Sequence, residues 1–182
     1  MDLFPIGRII SGGQTGVDRA ALDFALGREI PCGGWCPAGR RAEGGPIPEC
    51  YPLRETETGV YPQRTRQNVR DADATLIVTR GPPGGGTALT VRVAVALGRP
   101  HLILDLGRLR LGRAAALLRQ WLWQVAPVTL NVAGPRATEA PILGKRVCLL
   151  LGRSLTGSTG APPPWPPRRP RQPSLFDGGE NL

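Results

Sequence analysis

The sequence predicts an α/β fold, a parallel sheet flanked by helices, followed by an extended or disordered Pro/Arg-rich tail. Three observations predict it. Short apolar, β-branched runs alternate with stretches of helical period over residues 1–153. Two of the strand-to-helix junctions pass through glycine clusters. From Ser154 the composition turns to Gly, Ser, Thr and then proline, which cannot bury enough surface to offset the cost of ordering. The expected organisation is one domain over 1–153 and a tail over 154–182.

Residues 6–10 read as the first strand. It stops at Ser11-Gly12-Gly13-Gln14-Thr15-Gly16, behind which Val17, Ala20, Ala21, Phe24 and Ala25 recur at helical spacing. Such a junction leaves the helix's first N–H groups unpaired, partly positive and suited to an anion. A tight turn needing residues without a Cβ has the same signature. The helix ends near 27–29, and Pro31 opens an irregular segment over 32–61 that carries Trp35, Arg40, Arg41, Glu43 and Glu55. Loops longer than about 12–15 residues are uncommon inside compact domains, and the Trp, Cys and Tyr content argues against disorder. The segment reads as an ordered flap over a ligand site, with room for a short strand.

Residues 63–71 form a polar helix with Val69 inward; Arg64, Arg66 and Arg70 are phosphate ligands or a solvated face. Residues 74–79 read as a strand buried on both faces. It runs into Arg80-Gly81-Pro82-Pro83-Gly84-Gly85-Gly86-Thr87, and a helix over 87–97 follows with Leu89, Val93, Ala94 and Leu97 as its apolar stripe. Gly98, Arg99 and Pro100 stop that helix; 101–106 is the third strand, with His101 structural. A helix over 113–124 buries Leu117, Leu118, Trp121 and Leu122. The fourth strand, 128–133, ends in Gly134-Pro135-Arg136, and a last helix over 142–151 turns Ile142, Leu143, Val147 and Leu150 or Leu151 inward.

In a parallel sheet these junctions all leave at the carboxyl edge, where open α/β sheets bind ligands. The candidate anion cradle is therefore Gly12, Gly13, Gln14, Thr15, Gly16, Gly84, Gly85, Gly86 and Thr87. Arg40, Arg80 and Arg136 are placed to neutralise charge, and Trp35 to cover a flat ring or to anchor packing. Neither cluster is a P-loop, because no Lys-Ser or Lys-Thr follows the glycines. The first is spaced Gly-Gly-x-x-Gly with no acidic residue about 20 residues on at a strand end, unlike a dinucleotide fingerprint.

The net charge of +9 and pI near 10.8 call for an anionic partner: nucleic acid, a phosphorylated small molecule or an acidic membrane surface. Lys145 is the one lysine, an arginine bias that genome composition explains as well as bidentate phosphate contact does. Cys32, Cys36, Cys50, Cys148 and His101 make no zinc pattern, so reduced thiols are expected and no metal ligand is named. Cys36 is a minor candidate for ligand contact. There is no signal-peptide pattern and no apolar run of ~18–20 residues, so a cytoplasmic protein without membrane contact is expected.

Gly12 to Asp23, Gly34 to Glu43, Tyr51-Pro52-Leu53 with Glu55-Thr56, Arg64-Thr65 with Asn68-Val69, and Asn131 to Arg136 resemble, in the same order, the molybdenum cofactor carrier family. That family is Rossmann-like and related to YpsA-type (SLOG) proteins, the cytokinin-activating phosphoribohydrolases of the LOG type and DprA. The resemblance spans residues 7–151. It implies a homo-oligomer that binds a phosphorylated small molecule, either the molybdenum cofactor (molybdopterin), with the metal held by the pterin, or a nucleotide-like ligand. Pro83-Gly84-Gly85-Gly86-Thr87 also resembles the phosphoribohydrolase motif with one residue fewer, and the catalytic glutamate of that motif falls on Thr90, which cannot serve as acid or base.

A cofactor carrier is thus the first functional expectation, with no catalytic residue assigned. A hydrolase of a nucleotide-derived or ADP-ribose-like ligand is the second, drawing a carboxylate from Asp18, Glu43 or Glu55. A DNA-associated module is the third. Gln172-Pro173-Ser174-Leu175-Phe176-Asp177 resembles the peptide by which bacterial replication and repair proteins engage the sliding clamp, or is part of a solubilising tail. The basic prolines before it could hold nucleic acid loosely.

Overall fold

The computed structural model describes residues 2–157. The tail from 158 on, with its clamp-like peptide, lies outside the described residues. The expected first strand is two: β1 (Phe4–Ile6) and β2 (Arg8–Ile10). Gly7 separates them where a Cβ would come 2.8 Å from Val128 Cγ1. The first helix is α1 (Val17–Leu26), and β3 (Cys32–Gly33) returns beside β2.

The flap is ordered by very short elements: β4 (Trp35–Cys36), a 3-10 turn Ala38–Arg40, β5 (Arg41–Ala42), β6 (Gly45–Pro46) and β7 (Arg54–Glu55). Strand β4 pairs with β7, and β5 with β6. Beneath them Leu22, Cys36, Ile47 and Tyr51 form a small core of their own. Then come α2 (Tyr61–Asp71), β8 (Ala74–Thr79), α3 (Gly85–Ala96), β9 (His101–Asp105), α4 (Leu111–Val125), β10 (Thr129–Ala133), α5 (Leu143–Gly152) and β11 (Leu155–Gly157).

Five parallel strands make the main sheet, in the order β3-β2-β10-β8-β9. One face carries the large core. Ile9, Leu76, Val78, Leu104, Leu130 and Val132 pack there against the apolar stripes of α1, α4 and α5. The alternate strand residues point the other way. That face is more polar, with Asn131 Nδ2 donating to Thr75 Oγ1 at 3.4 Å, and Val69, Val93 and Ala94 join α2 to α3. Two expected core positions are exposed instead. Leu97 caps α3 and Ile142 precedes α5, each just beyond the turn that faces the sheet.

The tail begins later than composition suggests. Ser154 is buried and donates to Leu150 O at 2.8 Å, and β11 pairs in parallel with β1, Phe4 opposite Leu155. The two ends of the described chain therefore lie side by side. Counting from β10 as first strand, the sheet reads 3-2-1-4-5, five of the six strands of the doubly wound 3-2-1-4-5-6 order. The chain is that sheet opened at a different place, and its switch point falls between β10 and β8.

Candidate functional site

At this switch point a cleft of about 360 Å³ opens between α2, α3 and the loop after β10. Gln14, Asp18, Arg64, Gly85, Gly86, Thr87, Thr90, Arg92 and Arg136 line it, with Tyr61 and Leu89 as its apolar walls. The two glycine clusters do different work there. A Cβ on Gly84, Gly85 or Gly86 would meet nothing within 4 Å. The first bond of α3 is Ala88 N–H to Gly84 C=O at 3.0 Å, so the N–H groups of Gly85, Gly86 and Thr87 precede the helix's own bonding.

The first cluster is closed by protein. A Cβ on Gly12 would overlap the Arg64 guanidinium, and one on Gly13, at φ 74°, would overlap Leu53 and touch Ile47 Cδ1 at 3.0 Å. At the start of α1 the Val17 N–H already donates to Pro135 O at 3.3 Å and the Arg19 N–H to Gln14 O at 3.1 Å. Asp18 fills the remaining space, taking Arg64 Nη1 at 3.1 Å and the N–H groups of Gln14 and Gly134. Burial pushes its carboxyl up from the ordinary value, against the pull of Arg64. The space beside the glycines at 12 and 13 is thus taken by Arg64 and by the flap.

Thr15 is turned to the flap. Its hydroxyl donates to the Glu43 carboxylate, and its N–H donates to Gln14 Oε1 at 3.0 Å. The same Gln14 oxygen takes the Glu43 N–H at 2.9 Å. Glu43 also accepts the Thr138 hydroxyl at 2.7 Å and the Thr138 N–H at 3.3 Å, with Arg136 Nε 3.9 Å away. Partial burial opposes ionisation of Glu43, but these donors hold its carboxyl below the ordinary glutamate value. The flap tip is latched by a protein carboxylate over the junction that was expected to take an external anion.

Arg40 and Trp35 leave the cleft altogether. Arg40 Nε donates to Ile47 O at 2.9 Å and its Nη2 to Pro48 O at 2.8 Å and Tyr51 O at 2.9 Å, so the flap wraps its own arginine. Trp35 Nε1 donates to Asp71 at 2.8 Å, and the Asn68 amide takes both backbone groups of Trp35. Glu55 accepts the Gly39 N–H at 2.5 Å, another flap contact. Burial pushes the Cys32 and Cys36 thiols up, and Cys36 lies in the small core.

Arg136 stands at the cleft, bound to Glu139 at 3.2 Å. Arg80 lines a neighbouring chamber with Gly84, described below. The sequence reading left Arg64 open and passed over Arg92 and Tyr61, which α2 and α3 bring to the cleft. Arg64 lies one turn before the Asn68 that fastens Trp35, and that spacing was the signal available. Thr90 lines the cleft with its hydroxyl on Gly86 O at 3.1 Å. Among the described residues no group of three or more His, Cys, Asp or Glu could hold a metal ion, and no helix is long and apolar enough to cross a membrane.

Residues 9–155 match the circularly permutated YpsA SLOG family. The chain belongs to this family. In the sheet order, β10 is the last strand of the main sheet along the chain and takes the place of the first strand of the unpermuted order. A crystal structure from Syntrophus aciditrophicus, named Putative molybdenum carrier protein, is 46% identical and superimposes with a TM-score of 0.83, covering 85% of this chain and 98% of that one. No curated protein matches the chain.

Proposed function

We propose that this family member is a cytoplasmic carrier of a phosphorylated pterin, the molybdenum cofactor. The phosphate would lie at the start of α3, on the N–H groups of Gly85, Gly86 and Thr87, with Arg64, Arg92 and Arg136 around it. Tyr61 and Leu89 would wall the ring system. One observation carries the reading. The N-terminus of α3 opens onto a cleft of about 360 Å³ with space beside every one of its glycines, where a helix's partial positive charge favours an anion.

The donor set fits such a ligand. It offers backbone N–H groups and guanidinium forks for phosphate, and among the described residues no cluster of protein metal ligands would compete with the pterin for the metal. The name of the Syntrophus structure points the same way. Thr90 at the place of the phosphoribohydrolase glutamate favours holding over hydrolysis.

The test is native mass spectrometry of the protein purified anaerobically from its own host. A pterin phosphate carrying molybdenum is expected, and the same spectrum reads the proposed homo-oligomer. A nucleotide or an ADP-ribose fragment in its place would transfer the proposal to the hydrolase reading.

For the tail we propose engagement of the sliding clamp through Gln172, Leu175 and Phe176. The full chain should be retained by immobilised clamp and lose retention on Leu175→Ala with Phe176→Ala. Retention unchanged by that double substitution would remove the clamp from the proposal.

A further inference from the structure

The charge of the chain is divided unevenly. Residues 80–157 carry eleven Lys and Arg against two acids, whereas residues 2–79 carry nine against ten. Both acids of the second half are engaged by protein. Asp105 accepts the N–H groups of Gly81 and Gly107 at 2.9 and 2.8 Å, and Glu139 is held by Arg136 at 3.2 Å. The side chains of Arg80, Arg110, Arg113 and Lys145 have neither an ion pair nor a hydrogen bond among the described residues. Arg110 caps α4, Arg113 lies in its first turn, and Lys145 lies in the first turn of α5. A cation there opposes the positive end of the helix, so helix stability does not account for the placement. Arg146, next to Lys145, donates to Leu109 O at 3.3 Å and draws the starts of α4 and α5 together.

Beside these bases three hollows of about 180–190 Å³ each surround the loop 80–83. The first, walled by Arg80, Pro82 and Pro83, shares Thr87, Pro135 and Glu139 with the large cleft and so adjoins it over the first turn of α3. The second lies between Pro82, Pro83, Ile103 and Arg108, and the third between Arg80, Ile142 and Arg146. Ile103 is 40% exposed and Ile142 66%.

We infer that this face docks a second protein, the acceptor to which the carried molecule passes, and that the acceptor presents a rim of Asp and Glu around apolar side chains that enter the hollows. The inference rests on the carrier reading and names its partner by chemistry. Hollows with proline and isoleucine walls, ringed by guanidinium groups, have the composition of a protein interface, where Arg is enriched and a few anchors fill pockets. A nucleic acid would leave those apolar walls uncovered, and among the described residues no aromatic side chain lines any of the three hollows to stack a base. An acceptor seated here stands beside the cleft that it empties.

The experiment takes the full chain loaded with molybdenum cofactor and, as immobilised probes, the molybdenum enzymes of the same host prepared without it. The association rate is read at rising salt for the unaltered chain and for a variant with Arg110→Glu, Arg113→Glu and Lys145→Glu. The pterin moved to the probe is read by its fluorescence after oxidation. None of the three residues lines the cleft, and an acid at a helix N-terminus favours the fold, so cofactor occupancy and melting temperature should not fall. With at least one probe the variant should associate about ten-fold more slowly at low salt, with the difference shrinking as salt rises and pterin transfer slowed in step. Equal rates for the two chains, or association with none of the probes, would overturn the inference. So would a short DNA oligonucleotide held more tightly than any probe and released by the same substitutions. A chain that takes up no cofactor removes the carrier reading, whereas a loaded chain whose association ignores the substitutions removes this inference alone.

Discussion

Arg64 reaches from α2 to within 3.1 Å of the Asp18 carboxylate on α1, through the space that Gly12 leaves by having no side chain. The pair is buried, with 2% of the Asp18 side chain and 15% of that of Arg64 exposed. Removing one member of such a pair costs about 3–5 kcal/mol because the other charge stays buried, while removing both costs much less. Arg64→Met should therefore lose about 3–5 kcal/mol of unfolding free energy, and adding Asp18→Asn should restore most of it. Urea denaturation of the singles and the double measures this, and strictly additive losses would mean that the pair is not formed in solution.

The Glu43 latch predicts a pH signature. Because its carboxyl is held below the ordinary glutamate value, the latch stabilises the flap fully above that value, about 4.3, and is lost only as pH falls through the lower folded one. The Thr138 N–H donates to this carboxylate, so its chemical shift reports the titration. A midpoint below the ordinary value is expected, and no titration in Glu43→Gln. A midpoint at or above the ordinary value would mean that the flap tip stands open.

Tyr51 gives the alkaline counterpart. Burial and the hydrogen bond to Asp23 Oδ1 at 2.7 Å push its phenol up to about 12. A raised value means that the contact contributes fully below about pH 10, the ordinary tyrosine value, and is lost as pH rises through the folded one. The ultraviolet titration of the protein minus that of Tyr51→Phe should rise with a midpoint about 12. At neutral pH the substitution should cost about 1 kcal/mol, the worth of one hydrogen bond.

What the sequence revealed and what it hid divide along physical lines. Strands β8, β9 and β10 and helices α3, α4 and α5 were legible, because each carries its own period of apolar residues. The strand order was not, since nothing local in a β-strand says which neighbour it takes. Gly12-Gly13 and Gly84-Gly85-Gly86 look alike in sequence because a glycine admits a close approach whether the approaching atom is a ligand's or the protein's own. Only the fold shows Arg64 and Leu53 in one space and an open cleft in the other. Arg40 is ambiguous for a related reason: an arginine that binds four carbonyl groups of its own flap has the same sequence signature as one that binds phosphate.

The sharpest consequence of that difference is a pair of substitutions with opposite signs. Gly86 sits in the first turn of α3 with nothing within 4 Å of the position of a Cβ. An alanine there removes conformational freedom from the unfolded chain and suits a helix, so Gly86→Ala should gain about 0.5–1 kcal/mol of stability. The same methyl would stand in the cleft beside the N–H groups proposed to hold phosphate, so affinity for inorganic phosphate should fall. Gly13 has φ 74°, and its Cβ would run into Leu53 and Ile47 of the flap. Gly13→Ala should therefore destabilise, by more than the alanine gain at Gly86 and with loosening of the flap, through strain that an L residue at positive φ adds to the overlap. Thermal melts and calorimetry on the two variants read both signs. A stabilised Gly86→Ala that binds inorganic phosphate as tightly as the unaltered chain would place the anion elsewhere than on the first turn of α3.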